Sequence, residues 1–248
     1  MNFKVEICVD SPESAILAQS AGADRVELCD NLIEGGTTPG YGTIVTARKN
    51  IDIGLNVIIR PRGGDFLYSD LDYDIMRRDI DFCGECGANG IVIGILRADG
   101  TIDVERTAML IEMAHPMEVT FHRAFDMIRD PFSGLEDVII TGANRILTSG
   151  HKNQVPDGTE LIKQLVGKAH NRIIIMPGGG INISNIEMVA RSTGAGEFHF
   201  TGRKTIESSM IFRKEGIYMG GHPDVPEFSR KVADPGIIKG VIEILTAI

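Results

Sequence analysis

The chain has 248 residues, 43% of them hydrophobic, with a formal net charge of -9 and a sequence pI of ≈ 5.2. That apolar content supports a substantial core, and the acidic balance excludes a general nucleic-acid or acidic-membrane binder, which needs clustered Lys and Arg. The opening residues carry Lys4 and Glu6 instead of a signal-like apolar stretch, and no run reaches the ~18 apolar residues of a membrane helix, so a cytoplasmic protein with four reduced cysteines is expected.

In chain order, apolar runs predict strands at 3–9, 25–29, 55–60, 90–96, 118–122, 144–149, 172–176 and 197–201. Their near-continuous Ile and Val content suits parallel strands covered on both faces. Helix signals fall between them. Ser11-Pro12-Glu13 is a cap with Pro at the first helical position. The stretch 70–86 places Leu71, Ile75, Ile80 and Phe82 among charges, as a surface helix does. Asp130-Pro131 opens another helix, and Asn182 or Ser184 a further one. Four joints share a pattern: Gly22-Ala23-Asp24, Gly87-Ala88-Asn89, Gly142-Ala143-Asn144 and Gly194-Ala195-Gly196 each read as a helix ending at Gly before a strand. Eight strands alternating with helices predict an α/β fold, a single (β/α)8 TIM barrel spanning 1–248. The segment 203–234, with Gly216, Gly220, Gly221 and two prolines, reads as an irregular excursion before a terminal helix at 236–248.

Charged groups interrupt these apolar runs. Glu6, Glu27, Arg60, His122 and His199 sit within or at the ends of strands, where an unpaired charge costs several kcal/mol, so each must be paired or functional. Identical neighbours suggest that Glu6/Cys8 and Glu27/Cys29 hold matching inward positions on adjacent strands. Together they predict a polar mouth in which Glu27 or Glu6 acts as base and His122 or His199 as acid. The rival is an ion-pair network that fills the barrel. Gly178-Gly179-Gly180 after the seventh strand and Gly202-Arg203 after the eighth occupy the places where barrels commonly hold phosphate. Arg62 and Arg123 flank the mouth as further anion ligands, so a small anionic or phosphorylated substrate is one expected partner. Cys8 and Cys29 on neighbouring strands suit a soft metal such as Cu(I) or Zn, and Glu27, His122 and His199 would suit Mn, Fe or Zn. The pair Cys83 and Cys86 is a lone C-x-x-C in a helix, best read as packing.

Longer motifs add a resemblance. Gly22 to Cys29 with Glu34-Gly35-Gly36-Thr37-Thr38-Pro39, Ile59-Arg60-Pro61-Arg62-Gly63-Gly64-Asp65-Phe66, Val119-Thr120-Phe121-His122-Arg123-Ala124-Phe125-Asp126 and Ile146-Leu147-Thr148-Ser149-Gly150 resemble the CutC family of copper homeostasis proteins. The resemblance implies a cytoplasmic TIM barrel, a homo-oligomer (dimer or tetramer), and a role in copper tolerance with Cys8 and Cys29 as Cu(I) ligands. It implies no particular reaction and assigns nothing to Cys83 and Cys86.

Overall fold

A computed structural model describes residues 3–219 and 225–248; Gly220 and Gly221 of the expected excursion lie outside the described residues. Eight strands form one parallel sheet: β1 Lys4–Val9, β2 Arg25–Leu28, β3 Gly54–Ile58, β4 Gly90–Ile93, β5 Glu118–Phe121, β6 Arg145–Thr148, β7 Ile174–Pro177 and β8 Glu197–Phe200. Their order is β7-β6-β5-β4-β3-β2-β1-β8. The last strand pairs with the first, and an isolated parallel bridge between Gly178 and His199 brings β7 to β8, so the barrel is nearly closed.

Eight helices alternate with the strands: α1 Pro12–Ser20, α2 Tyr41–Asn50, α3 Asp70–Glu85, α4 Val104–Ala114, α5 Pro131–Thr141, α6 Val155–Ala169, α7 Ile186–Thr193 and α8 Pro235–Thr246. The expected caps operate. Ser14 N–H donates to Ser11 Oγ at 3.2 Å, and Phe132 N–H to Asp130 Oδ1 at 2.8 Å. α7 differs from expectation, because Asn182 and Ser184 form a turn in which Ser184 N–H and Oγ donate to Asn182 Oδ1, and the helix begins only at Ile186. The excursion after β8 is also more ordered than its composition suggests. Its two ends, β9 Arg203–Glu207 and β10 Ser229–Ala233, pair antiparallel before α8. Lys, Arg and Ser dilute the apolar alternation there, which hides a solvent-facing hairpin from a hydrophobic pattern.

Strand parity decides where the core lies. One set of alternate residues, including Ile7, Val26, Val57, Ile91, Phe121, Ile146 and Phe198, is buried in the main apolar core with helix residues such as Ile44, Met76, Leu110, Val138 and Ile162. Burying each such side chain contributes about 1.5–3 kcal/mol. The other set is mostly polar: Glu6, Cys8, Arg25, Glu27, Asn56, Thr120, Arg145, Glu197 and His199 are all buried, with Ile58, Val92, Leu147 and Met176 as its apolar members. The stabilising core is therefore the layer between sheet and helices, and the inside of the barrel is free to carry charge.

Candidate functional site

The barrel floor is an ion network. Glu6 accepts from Arg25 Nε at 2.6 Å and Asn56 Nδ2 at 2.9 Å through one oxygen, and lies 2.8 Å from His199 Nδ1 through the other. Arg25 Nη2 and Arg145 Nε both donate to Glu197 Oε2, at 2.5 and 2.8 Å, and Arg145 Nη2 reaches Glu118 at 2.7 Å. Burial would raise the Glu6 pKa, but the Arg25 charge and the His199 hydrogen bond outweigh it and hold the carboxyl at about 2. Fully partnered, Glu6 orients His199 from below and does not line the open mouth. Arg25 and Arg145 had no place in the expected site. A signal was present, since both open a strand directly after Gly-Ala-Asp or Gly-Ala-Asn.

Above the floor lie the thiols. The parallel register sets Cys8 opposite Glu27 and Glu6 opposite Arg25, so the two similar motifs are staggered by two residues and do not occupy matching positions. The stagger still brings Cys8 Sγ to 3.7 Å from Cys29 Sγ. Cys8, Glu27 and Cys29 offer donor atoms within 4.8 Å of one another, all buried, and His199 Nε2 is 3.5 Å from Glu27 Oε2. The Cys29 hydrogen bond and the His199 imidazole lower the Cys8 thiol to about 5 despite burial, whereas the same bond and burial raise Cys29. Burial and the Cys8 charge push Glu27 up. Burial alone would lower His199, yet the surrounding Glu27, Cys8 and Glu6 raise it.

A cavity of about 300 Å3 opens over this cluster, lined among others by Cys8, Glu27, Arg60, Phe66, His122 and His199. Two glycines that directly follow β4 and β7 make room for its imidazoles. A methyl at Gly94 would overlap the His122 ring, and one at Gly178 would crowd Leu147 and His199. His122 directly follows β5 and accepts from Ala124 N–H through Nδ1 at 3.1 Å, capping a short 3-10 turn at Arg123–Met127. Burial and the Arg60 charge lower its pKa to about 3, so the ring is neutral. Arg60 donates to the Glu34, Gly36 and Gly64 carbonyls at 2.7–2.9 Å.

The other anion-ligand candidates are deployed differently. Arg62 is spent on its own loop, reaching Asp65 at 3.1 Å and Asp72 at 3.4 Å and stacking over Tyr68. Arg123 lines the cavity but donates to Asp126 at 2.7 Å and Ser149 Oγ at 2.7 Å. Gly179 and Gly180 have Arg123 and Gln154 side chains against them, and Gly202 packs under Ile238 and Phe200. Arg203 lies 3.5 Å from Asp10 and starts β9. Cys83 is wholly buried in the core, its thiol raised to about 12 by burial, and Cys86 packs beside it.

The fold and mouth define a (β/α)8 barrel with a charged interior and a buried thiol pair. A model of the CutC family matches residues 3–204. The chain belongs to the CutC family. A CutC family protein of Chromobacterium violaceum is 46% identical over 245 residues, covering 99% of each chain. A human protein named copper homeostasis protein cutC homolog is 46% identical over 94% of this chain and 85% of its own length. The crystal structure of a CutC protein from Streptococcus agalactiae superposes with a TM-score of 0.76 at 37% identity, covering 80% of this chain and 98% of that one. An N-(5'-phosphoribosyl)anthranilate isomerase from Pyrococcus furiosus, 13% identical, shares the fold with a TM-score of 0.61 over 99% of this chain and 100% of its own.

Proposed function

We propose that this protein acts in copper homeostasis by binding Cu(I) through Cys8 and Cys29, with Glu27 as a third donor. The supporting observation is the pair of sulfurs 3.7 Å apart in a buried setting with a carboxylate at hand. With metal–sulfur bonds of about 2.3 Å, that separation subtends about 107° at the metal, which suits three- or four-fold coordination; a linear pair would need about 4.6 Å. Thiolates select Cu(I), and relatives carrying the copper homeostasis name agree with that choice. The reading also places the protein in the cytoplasm, where thiols stay reduced, and as a homo-oligomer. Anaerobic titration with Cu(I) against a chromophoric competitor tests it. One tightly held equivalent per chain is expected, and full retention in Cys8→Ser/Cys29→Ser overturns the reading.

A second reading is favoured by His199, which stands between two carboxyls. An enzyme acting on a small anion would use Glu27 and His199 as its proton carriers, with Glu6 holding the imidazole in place. Turnover-dependent exchange of substrate protons with deuterated solvent, lost in Glu27→Gln, distinguishes this from metal binding alone.

A further inference from the structure

Two buried donors on residues that line the mouth make no hydrogen bond among the described residues. Because Ala124 N–H donates to His122 Nδ1, that nitrogen bears no proton, and the proton of the ring is on Nε2. His122 Nε2 is buried and makes no hydrogen bond among the described residues. Arg60 uses its two terminal nitrogens on carbonyls; its Nε–H is also buried and makes no hydrogen bond among the described residues, although the equally unbonded Tyr68 hydroxyl lies near the same guanidinium. Both groups rest on one aromatic ring: the Arg60 guanidinium carbon lies 5.3 Å, and the His122 ring 5.0 Å, from the centroid of Phe66. Both line the same cavity. An unmet buried donor is costly, so two on residues of one cavity wall call for an oxygen that arrives with a ligand.

The chemistry of that ligand follows from the rest of the wall. Arg60 supplies a buried cation whose bonds above go only to neutral carbonyls, so the oxygen it lacks is best supplied with negative charge. Ile58, Phe66, Met127 and Leu147 give the cavity an apolar side, and of the carboxylates that also line it Asp126 is paired with Arg123 and Glu34 accepts from Asn31. At about 30 Å3 for each water-sized group, its 300 Å3 hold about ten non-hydrogen atoms. A phosphate is a poorer match, because Gly179 and Gly180 are covered by Arg123 and Gln154.

We propose that the mouth binds a small organic carboxylate, whose oxygens accept from His122 Nε2–H and Arg60 Nε–H while its apolar body lies on Phe66 and Leu147. The cavity is the one that Cys8 also lines; the proposal rests on the small-anion reading of the mouth and does not depend on the copper reading.

The test uses the full chain, with pyruvate, succinate and orthophosphate as probes, by calorimetry and by 15N spectra of the histidine side chains. Saturable binding of pyruvate or succinate is expected, with a shift of the His122 Nε2 signal in the unmodified protein. His122→Phe should weaken that binding tenfold or more, and Cys86→Ser, at the C-terminal end of α3 away from the mouth, should change it less than twofold. Failure of both carboxylates to bind, binding of orthophosphate alone, an unmoved His122 signal, or equal affinity in His122→Phe each overturns the proposal. Should His122→Phe fail to fold, the His122 signal in the unmodified chain decides by itself. Loss of copper binding with carboxylate binding intact would leave this site standing and separate the two ideas.

Discussion

Cys8 faces Glu27 across the β1–β2 ladder, not the cysteine of the matching motif, and the metal-capable cluster exists because of that offset. The parallel register supplies the carboxylate, and the two-residue stagger supplies the second sulfur from the end of β2. Replacing Glu27 by Gln should therefore weaken Cu(I) binding by about 10- to 100-fold without abolishing it, as loss of a supporting oxygen ligand does. Competitor titration of Glu27→Gln beside Cys8→Ser measures the difference; equal loss in both would show that the carboxylate is as essential as the thiol.

Glu6 holds three partners that burial leaves with no substitute. Glu6→Gln should destabilise the protein by about 3 kcal/mol, because Arg25 and His199 are then left as poorly compensated buried charges. Glu34→Gln, at an exposed position, should stay within about 0.5 kcal/mol. Guanidinium unfolding midpoints of the two variants give the comparison.

Gly94 has no room for a side chain beside His122. Gly94→Ala should cost about 1–3 kcal/mol through overpacking and shift the His122 ring. Its Cu(I) affinity should remain that of the parent, since Cys8 and Cys29 lie on other strands. Denaturation and copper titration of one variant check both halves.

His122 makes stability depend on acid in a defined window. Its folded pKa of about 3 lies below the ordinary 6.5, so the unfolded chain takes up the proton first. The contribution is complete above pH 6.5 and is lost as pH falls from there toward about 3, at up to roughly 1.4 kcal/mol per pH unit. Arg60, the charged neighbour that deepens the effect, does not titrate in this range. His122→Gln should flatten the stability profile between those limits, measured by denaturation at stepped pH.

Cys86 is partly exposed and Cys83 is buried with its thiol at about 12. Iodoacetamide at neutral pH should label Cys86 in the native protein and Cys83 only after unfolding. Peptide mass spectrometry resolves the order, and early labelling of Cys83 would contradict its place in the core.

The barrel was legible because its apolar layer is written in Ile and Val on seven barrel strands and in Phe on the eighth, and Gly22, Gly87, Gly142 and Gly194 all adopt the positive φ that their helix ends require. The charges at Glu6, Glu27, Arg60, His122 and His199 were legible as oddities in that layer. Their division of labour was not. Whether a buried carboxylate is a structural partner or lines an opening depends on ladder register and on what fills the next position, which for Glu6 means Arg25 and Asn56. Arg62 shows the same limit, since its partners Asp65 and Asp72 lie close in sequence and claim it before any ligand does. The hairpin β9–β10 escaped because an exposed two-stranded ribbon needs no apolar face.

The Glu6–His199 contact joins residues 193 positions apart, one on the first strand of the barrel and one on its eighth. Both thiols are in the chain after its first 29 residues, but the imidazole beside them arrives only when β8 has docked against β1. Synthesis thus separates the appearance of the sulfurs from the completion of their pocket. A chain halted before β8 carries thiols without their electrostatic setting, and a finished pocket certifies that the ring has closed.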